Sequence, residues 1–199
     1  MVVVESYLIA IVLCFITMLC WGSWANTQKL ASKEWKFQLF YWDYSIGVLL
    51  LALFFAFTLG TFGSEGRHFI EDLFQADSNA LLSAFLGGVI FNLANILIVV
   101  AIDIAGMAVA FPVGIGLALI LGVITNYIGE PVGNPYLLFA GVAAVTIAIL
   151  VDAIAYRRLS GSKESKASNG LLIALAGGIL MGFFYRFVAS SMSVDFVTL

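Results

Sequence analysis

Charge is scarce in this sequence: nine Lys or Arg and twelve Asp or Glu make up only 11% of 199 residues. Soluble domains carry roughly a quarter. No basic stripe of the kind that follows phosphates is present, which excludes a nucleic-acid partner. His68 is the sole histidine and has no Cys or carboxylate cluster beside it, which argues against a metal centre. Cys14 and Cys20 are the two cysteines, six apart in one apolar segment and on different helix faces. They read as small hydrophobes, not a disulfide framework. No His/Asp/Ser constellation or paired acid site interrupts the apolar runs, so neither an enzyme nor a cofactor is expected. The N-terminus lacks a basic leader, with only Glu5 charged before Tyr7, and its apolar run ends in Trp21 and Trp24 instead of a small-residue cleavage site. The first segment is therefore expected to stay in the mature protein.

What is abundant is apolar: 62% of residues are hydrophobic and the mean hydropathy is +1.07. A helix rises about 1.5 Å per residue, so crossing a ~30 Å hydrocarbon core takes about 20 apolar residues. Six stretches meet that length, near Tyr7–Asn26, Phe37–Gly60, Asn79–Ala101, Ala105–Tyr127, Tyr136–Tyr156 and Gly170–Ser190. Their continuity, without alternation, predicts an all-α multi-pass membrane protein over a barrel. Loops after the first, third and fifth spans hold Lys29, Lys33, Lys36, Arg157, Arg158, Lys163 and Lys166, whereas the opposite side holds Arg67 among six acids. The positive-inside rule then places the N-terminus outside.

Two connections stand out. Between Thr61 and Ser78, Phe69, Ile70, Leu73 and Phe74 recur at helical spacing among acids, predicting a short amphipathic helix on the membrane surface. Residues 157–169 are rich in Ser, Gly and Lys and predict a cytoplasmic linker. It divides residues 1–156, a five-helix transmembrane repeat, from 170–199, the first helix of a second, truncated repeat. Leu8-Ile9-Ala10 and Leu172-Ile173-Ala174 sit at matching places in the first and sixth spans, with Trp21 opposite Tyr185. An inverted repeat of this kind predicts the N-terminal part of a longer transporter. A homodimer would be another source of the missing half.

Several residues can carry function. Asp43 lies about two turns inside the second span, where a carboxylate costs several kcal/mol unless paired or protonated. It is a candidate for proton coupling, or else an anchor near the cytoplasmic interface beside Lys36. Asn92 and Asn95 are three apart near mid-membrane, able to hydrogen-bond a polar solute or another helix. Thr17, Trp21, Trp24 and Gln28 share one face, with Trp21 deep enough for a solute pocket and Trp24 and Gln28 nearer an interfacial role. Pro112 with Gly114 and Gly116 predicts a bend in the fourth span, either a gating point or a packing kink. Arg186 is the basic residue well inside an apolar run; it can hold an anionic group of a solute, pair with an acid such as Asp43, or snorkel. Gly170, Ala174, Gly178 and Gly182 form a small-residue stripe that predicts close helix packing.

Ordered segments along the chain carry a resemblance. They are Val4-Glu5-Ser6, Trp21-Gly22-Ser23-Trp24, Asp43-Tyr44, Leu59-Gly60, Gly87-Gly88-Val89, Asn92-Leu93-Ala94-Asn95, the Pro112/Gly114/Gly116 stretch, Asn126-Tyr127 and Leu138-Phe139-Ala140-Gly141-Val142. Together they resemble the ureide permease and glucose/ribose porter branch of the drug/metabolite transporter superfamily. The resemblance implies ten helices in two inverted five-helix repeats around a central cavity. It also implies proton-coupled uptake of a small polar solute (a sugar, ureide, nucleobase or related metabolite) through a plasma membrane, here a bacterial cytoplasmic membrane. Gly161-Ser162-Lys163-Glu164 does not reproduce the phosphate-loop-like glycine motif of plant ureide permeases, which argues against a ureide and keeps sugars level with it. On this reading Trp21, Asn92, Asn95, Pro112, Gly114 and Arg186 bind solute, Asp43 couples protons, and the partners are solute, proton and membrane lipid. A non-transporting membrane receptor or assembly subunit is the alternative.

Overall fold

The computed structural model describes residues 2, 4, 6–31, 34–63, 66–159 and 164–192. Seven helices and no strands occur among them: α1 Tyr7–Ala31, α2 Phe37–Phe57, α3 Phe69–Gln75, α4 Ser78–Ala105, α5 Met107–Gly129, α6 Pro135–Leu159 and α7 Glu164–Ser191. All but α3 are long and apolar enough to cross a membrane by length and composition, which matches the six expected spans. The break between α4 and α5 falls at Gly106, with φ of +84°, one residue after the expected start of the fourth span. A side chain there would be strained, and the glycine lets two long helices turn sharply with one residue between them. Helix also runs to Leu159 and resumes at Glu164, inside the segment expected as linker, whose residues 160–163 lie outside those described.

The chain divides into two compact units, Met1–Ala76 and Asp77–Leu199. In the first, α1 and α2 are antiparallel. The Val2 N–H donates to the Leu59 carbonyl at 2.7 Å, and at the other end the Trp24 and Tyr44 rings meet edge to face with centroids 5.7 Å apart. Among the described residues neither spanning helix buries an apolar side chain in this unit. Beyond α2, Phe69 donates to Gly60 O at 2.9 Å and its ring stands 5.5 Å from that of Phe57, which seats the start of α3. As the spacing predicted, α3 exposes Ile70, Leu73 and Phe74 on one face. Arg67 and Asp72 form an ion pair at 3.1 Å beside it, the one such pair among the described residues.

The second unit is built around α7. Gly87 lies against Val188 and Phe187, Gly177 against Ala94, Leu97 and Ile98, and Gly170 against Ala105, so α4 and α7 run antiparallel over their whole lengths. Gly178 meets Gly114 and Gly182 meets Ala118 and Leu121, so α5 and α7 run parallel. Gly116 against Ile149 and Tyr127 against Phe139 fix α6 antiparallel to α5. The buried apolar residues are mostly alanine, with Ala94, Ala101, Ala110, Ala118 and Ala174 joined by Ile98, Val99 and Met181. Lipid is as apolar as leucine, so helices in a bilayer gain by bringing backbones close, and small residues permit that. The stripe of Gly170, Ala174, Gly178 and Gly182 does so. A Cβ at Gly178 would stand 2.5 Å from the Gly114 carbonyl oxygen, and one at Gly170 would stand 2.5 Å from Ala105 Cβ. Thr125 Oγ1 adds a polar tie across the α5–α7 seam, reaching Gly182 O at 3.4 Å while bonding Leu121 O at 2.8 Å in its own helix.

Candidate solute-binding site

The expected site residues fall in both units: Trp21 and Asp43 in the first, and Asn92, Asn95, Pro112, Gly114 and Arg186 in the second. Trp21 is 44% exposed and Asp43 is exposed one residue before Tyr44, whose ring contacts both Trp24 and Tyr41. Trp24 is half-buried, and its indole Nε1 is buried without a hydrogen-bond partner among the described residues. Thr17, on the same α1 face, returns its hydroxyl to Leu13 O at 2.9 Å.

In α4 the two asparagines do not behave alike. Asn92 is exposed, whereas Asn95 is 3% exposed and is the single buried polar residue among the described residues. Three residues subtend about 300° around a helix axis, so neighbouring rows can straddle the edge of a packed face. Asn95 Nδ2 is buried with no acceptor among the described residues. A donor left unmatched in an apolar interior costs about 1–3 kcal/mol.

Pro112 stands inside α5 and is half-buried. The helix is continuous from Met107 to Gly129, so the proline and glycines do not unwind it. Gly114 is buried, with room for a Cβ only at 3.3 Å from both Ala174 O and Ile98 Cγ1. Its place is the helix crossing, and Asn95 stands on α4 one turn before that same Ile98. The structure thus brings Asn95 and Gly114 to one level of the bundle. Arg186 lies eight residues along α7 from Gly178, about 12 Å away by helix rise, at the end where α5 also finishes.

A cavity opens at that end. It has a volume of about 710 Å3 and lies between the C-terminal ends of α5 and α7 and the N-terminal end of α6. Ligand sites run about 300–1,000 Å3, so it is large enough for a small metabolite. Its polar walls are Asn126, Tyr127, Glu130, Tyr185 and Arg186, over an apolar floor that includes Leu119 and Val123. Tyr127 is braced edge-on by Phe139 at 5.5 Å and Tyr185 by Phe184 at 6.4 Å. The guanidinium of Arg186 occupies the space where a Gly129 side chain would be, against the last turn of α5. Helix C-termini carry partial negative charge, which favours a cation at that point. Asn126 and Tyr127 were legible as a sequence pair without a role. Glu130 counted only as a loop acid, and nothing in one dimension aligned it with Arg186.

Residues 40–172 match the ureide permease family model. The chain belongs to the ureide permease family. Ureide permease 2 of Arabidopsis thaliana is 30% identical over 172 residues, which is 84% of this chain and 43% of that protein. Ureide permease 1 of the same plant is 26% identical over 171 residues, 85% of this chain and 44% of the relative. A probable ureide permease, A3, of Vigna unguiculata is 27% identical over 172 residues, 83% of this chain and 46% of its own length. The chain therefore spans less than half the length of the curated relatives it matches. No solved structure matches it. The missing phosphate-loop-like motif near Gly161 does not separate this chain from ureide permeases, because most of the similarity lies in the helices before it. The names of the family and of these relatives point to a transporter rather than an enzyme.

Proposed function

We propose that this chain is part of a secondary active transporter that moves a small polar solute, with ureides the first class to test, by alternating access. What carries the reading is the family match over residues 40–172, which covers four of the six membrane-spanning helices nearly whole. A buried, unmatched amide at mid-helix, Asn95, supports it, since such a group is suited to a solute's donor or acceptor. Trp21, Asn92, Pro112, Gly114 and Arg186 complete the proposed solute path, and Asp43 is the proposed proton carrier.

The proposed whole is a ten-helix protein with two inverted five-helix repeats and the N-terminus outside. Residues 1–156 are the first repeat, 157–169 a cytoplasmic linker, and 170–199 the opening helix of the second. Packing and repeat are different partitions of one chain, and inverted-repeat transporters commonly interleave helices from both halves around their solute. The wider drug/metabolite superfamily and its sugar porters remain the proposed kin, and hexoses, pentoses and nucleobases the further solutes. The proposed location is a plasma membrane; the relatives are plant proteins and lend no support to a bacterial cytoplasmic membrane. A homodimer is a proposed alternative source of the second half.

The test is counterflow uptake in proteoliposomes holding the natural gene product, with labelled ureides, hexoses, pentoses and nucleobases, and with or without an inward proton gradient. Accumulation of one class only under the gradient is expected. Flux without gradient dependence would remove the proton. No flux of any class by folded protein would replace the transporter with a receptor or assembly subunit.

A further inference from the structure

The cavity at the ends of α5, α6 and α7 holds two opposite charges that do not satisfy each other. Arg186 and Glu130 both line it, both are exposed to it, and neither makes an ion pair or hydrogen bond through its side chain among the described residues. Two tyrosines and the Asn126 amide line the same space. A neutral solute entering this space displaces water from both charges and compensates neither, which is costly. A solute with a single charge compensates one and crowds the other. We propose that this cavity binds a zwitterion of the α-amino-acid class, its carboxylate on Arg186 and its ammonium on Glu130.

The chemistry of each wall agrees. A guanidinium presents a planar fork that matches a carboxylate with two parallel hydrogen bonds. It is held in place by the last turn of α5, where it fills the space beside Gly129. An ammonium gains from the Glu130 carboxylate, from the carbonyl end of α5, and from tyrosine ring faces. Glu130 closes α5, its N–H donating to Asn126 O at 2.9 Å, so its backbone position is fixed by the helix it ends. The inference rests on the ligand-binding role given above to Arg186 and assigns this end of the bundle a ligand class of its own, beside the ureides proposed for the level of Asn95.

Equilibrium binding of labelled L-alanine to the full chain in detergent tests it, with propionate, ethylamine and hydantoin as competitors. L-Alanine is expected to bind at least tenfold more tightly than any of the three. Arg186→Gln and Glu130→Gln should each weaken it at least tenfold. Gly129→Ala, whose new methyl meets the guanidinium of Arg186 first, should weaken it while leaving the melting temperature in place. That variant keeps the question answerable if a charge-removing one fails to fold. No L-alanine binding, hydantoin binding as tightly as L-alanine, or binding indifferent to all three substitutions would each overturn the inference. Ureide counterflow without L-alanine binding sinks this inference and leaves the transporter standing. L-Alanine binding without flux of any solute does the reverse.

Discussion

Replacing Gly178 by alanine sets two effects against each other. Alanine in place of glycine favours a helix by about 0.8–1.0 kcal/mol. At Gly178 the new methyl would stand 2.5 Å from the Gly114 carbonyl oxygen and 3.2 Å from its Cα, where ordinary contact begins at 3.4 Å. Both obstacles are backbone, so no side chain can rotate away, and α5 and α7 must part by about 0.9 Å. Overpacking of this kind costs about 1–3 kcal/mol. Gly88, on α4, is the matched control, since a Cβ there meets nothing within 4 Å. Both substitutions gain the same propensity, so the difference between them isolates the steric cost. Gly88→Ala should hold or raise stability, and Gly178→Ala should lie about 1–3 kcal/mol below it. For a chain of 150–250 residues, roughly 2–4 °C accompanies each kcal/mol, so melting temperatures in one detergent should differ by about 2–12 °C. Equal melting temperatures for the two variants would refute the close α5–α7 crossing.

The orphaned amide gives a second contrast: Asn95→Leu removes an unmatched donor worth about 1–3 kcal/mol, so melting should hold or rise while counterflow is lost; retained flux would remove Asn95 from the site. Asp43→Asn should abolish gradient-driven accumulation and keep exchange, read as uptake against pH jump, and unchanged pH dependence would end its proton role. In a Cys14→Ser/Cys20→Ser background, an impermeant maleimide should label Asn134→Cys from outside intact cells and Glu34→Cys only after permeabilisation; the reverse pattern would invert the orientation. Arg67→Ala should cost under about 1 kcal/mol in melting, as the pair with Asp72 is solvent-exposed.

The six spans were legible because twenty-residue apolar runs have few other uses, and the glycine stripe because i, i+4 spacing forces one face. The break between the third and fourth spans was legible at Asp103 to within a few residues, but not its tightness, a single glycine with positive φ at Gly106. The different burial of Asn92 and Asn95 could not be read from their spacing, because the edge of a packed face depends on which neighbour arrives, and here α7 takes Ala94 and Ile98. Arg186 could be singled out by its setting in an apolar run. Its companions could not, because Glu130 and Asn126 belong to another helix whose end meets Arg186 only once α5 and α7 lie parallel.

The placement of α7 has a bearing on biosynthesis. A chain emerges N-terminus first, at about 5–20 residues per second. Between Gly129, the last residue of α5, and Ser191, the last of α7, the ribosome must add some sixty residues, or about 3–12 s of synthesis. For that interval Ala94, Ile98, Gly114 and Ala118 lack their α7 neighbours, and lipid chains must cover the faces that α7 later takes. When α7 arrives it enters an occupied slot, and its docking releases that lipid. The second unit is thus completed last at its centre, and a ribosome stalled before Glu164 would leave in the bilayer three helices whose tightest seam is still open.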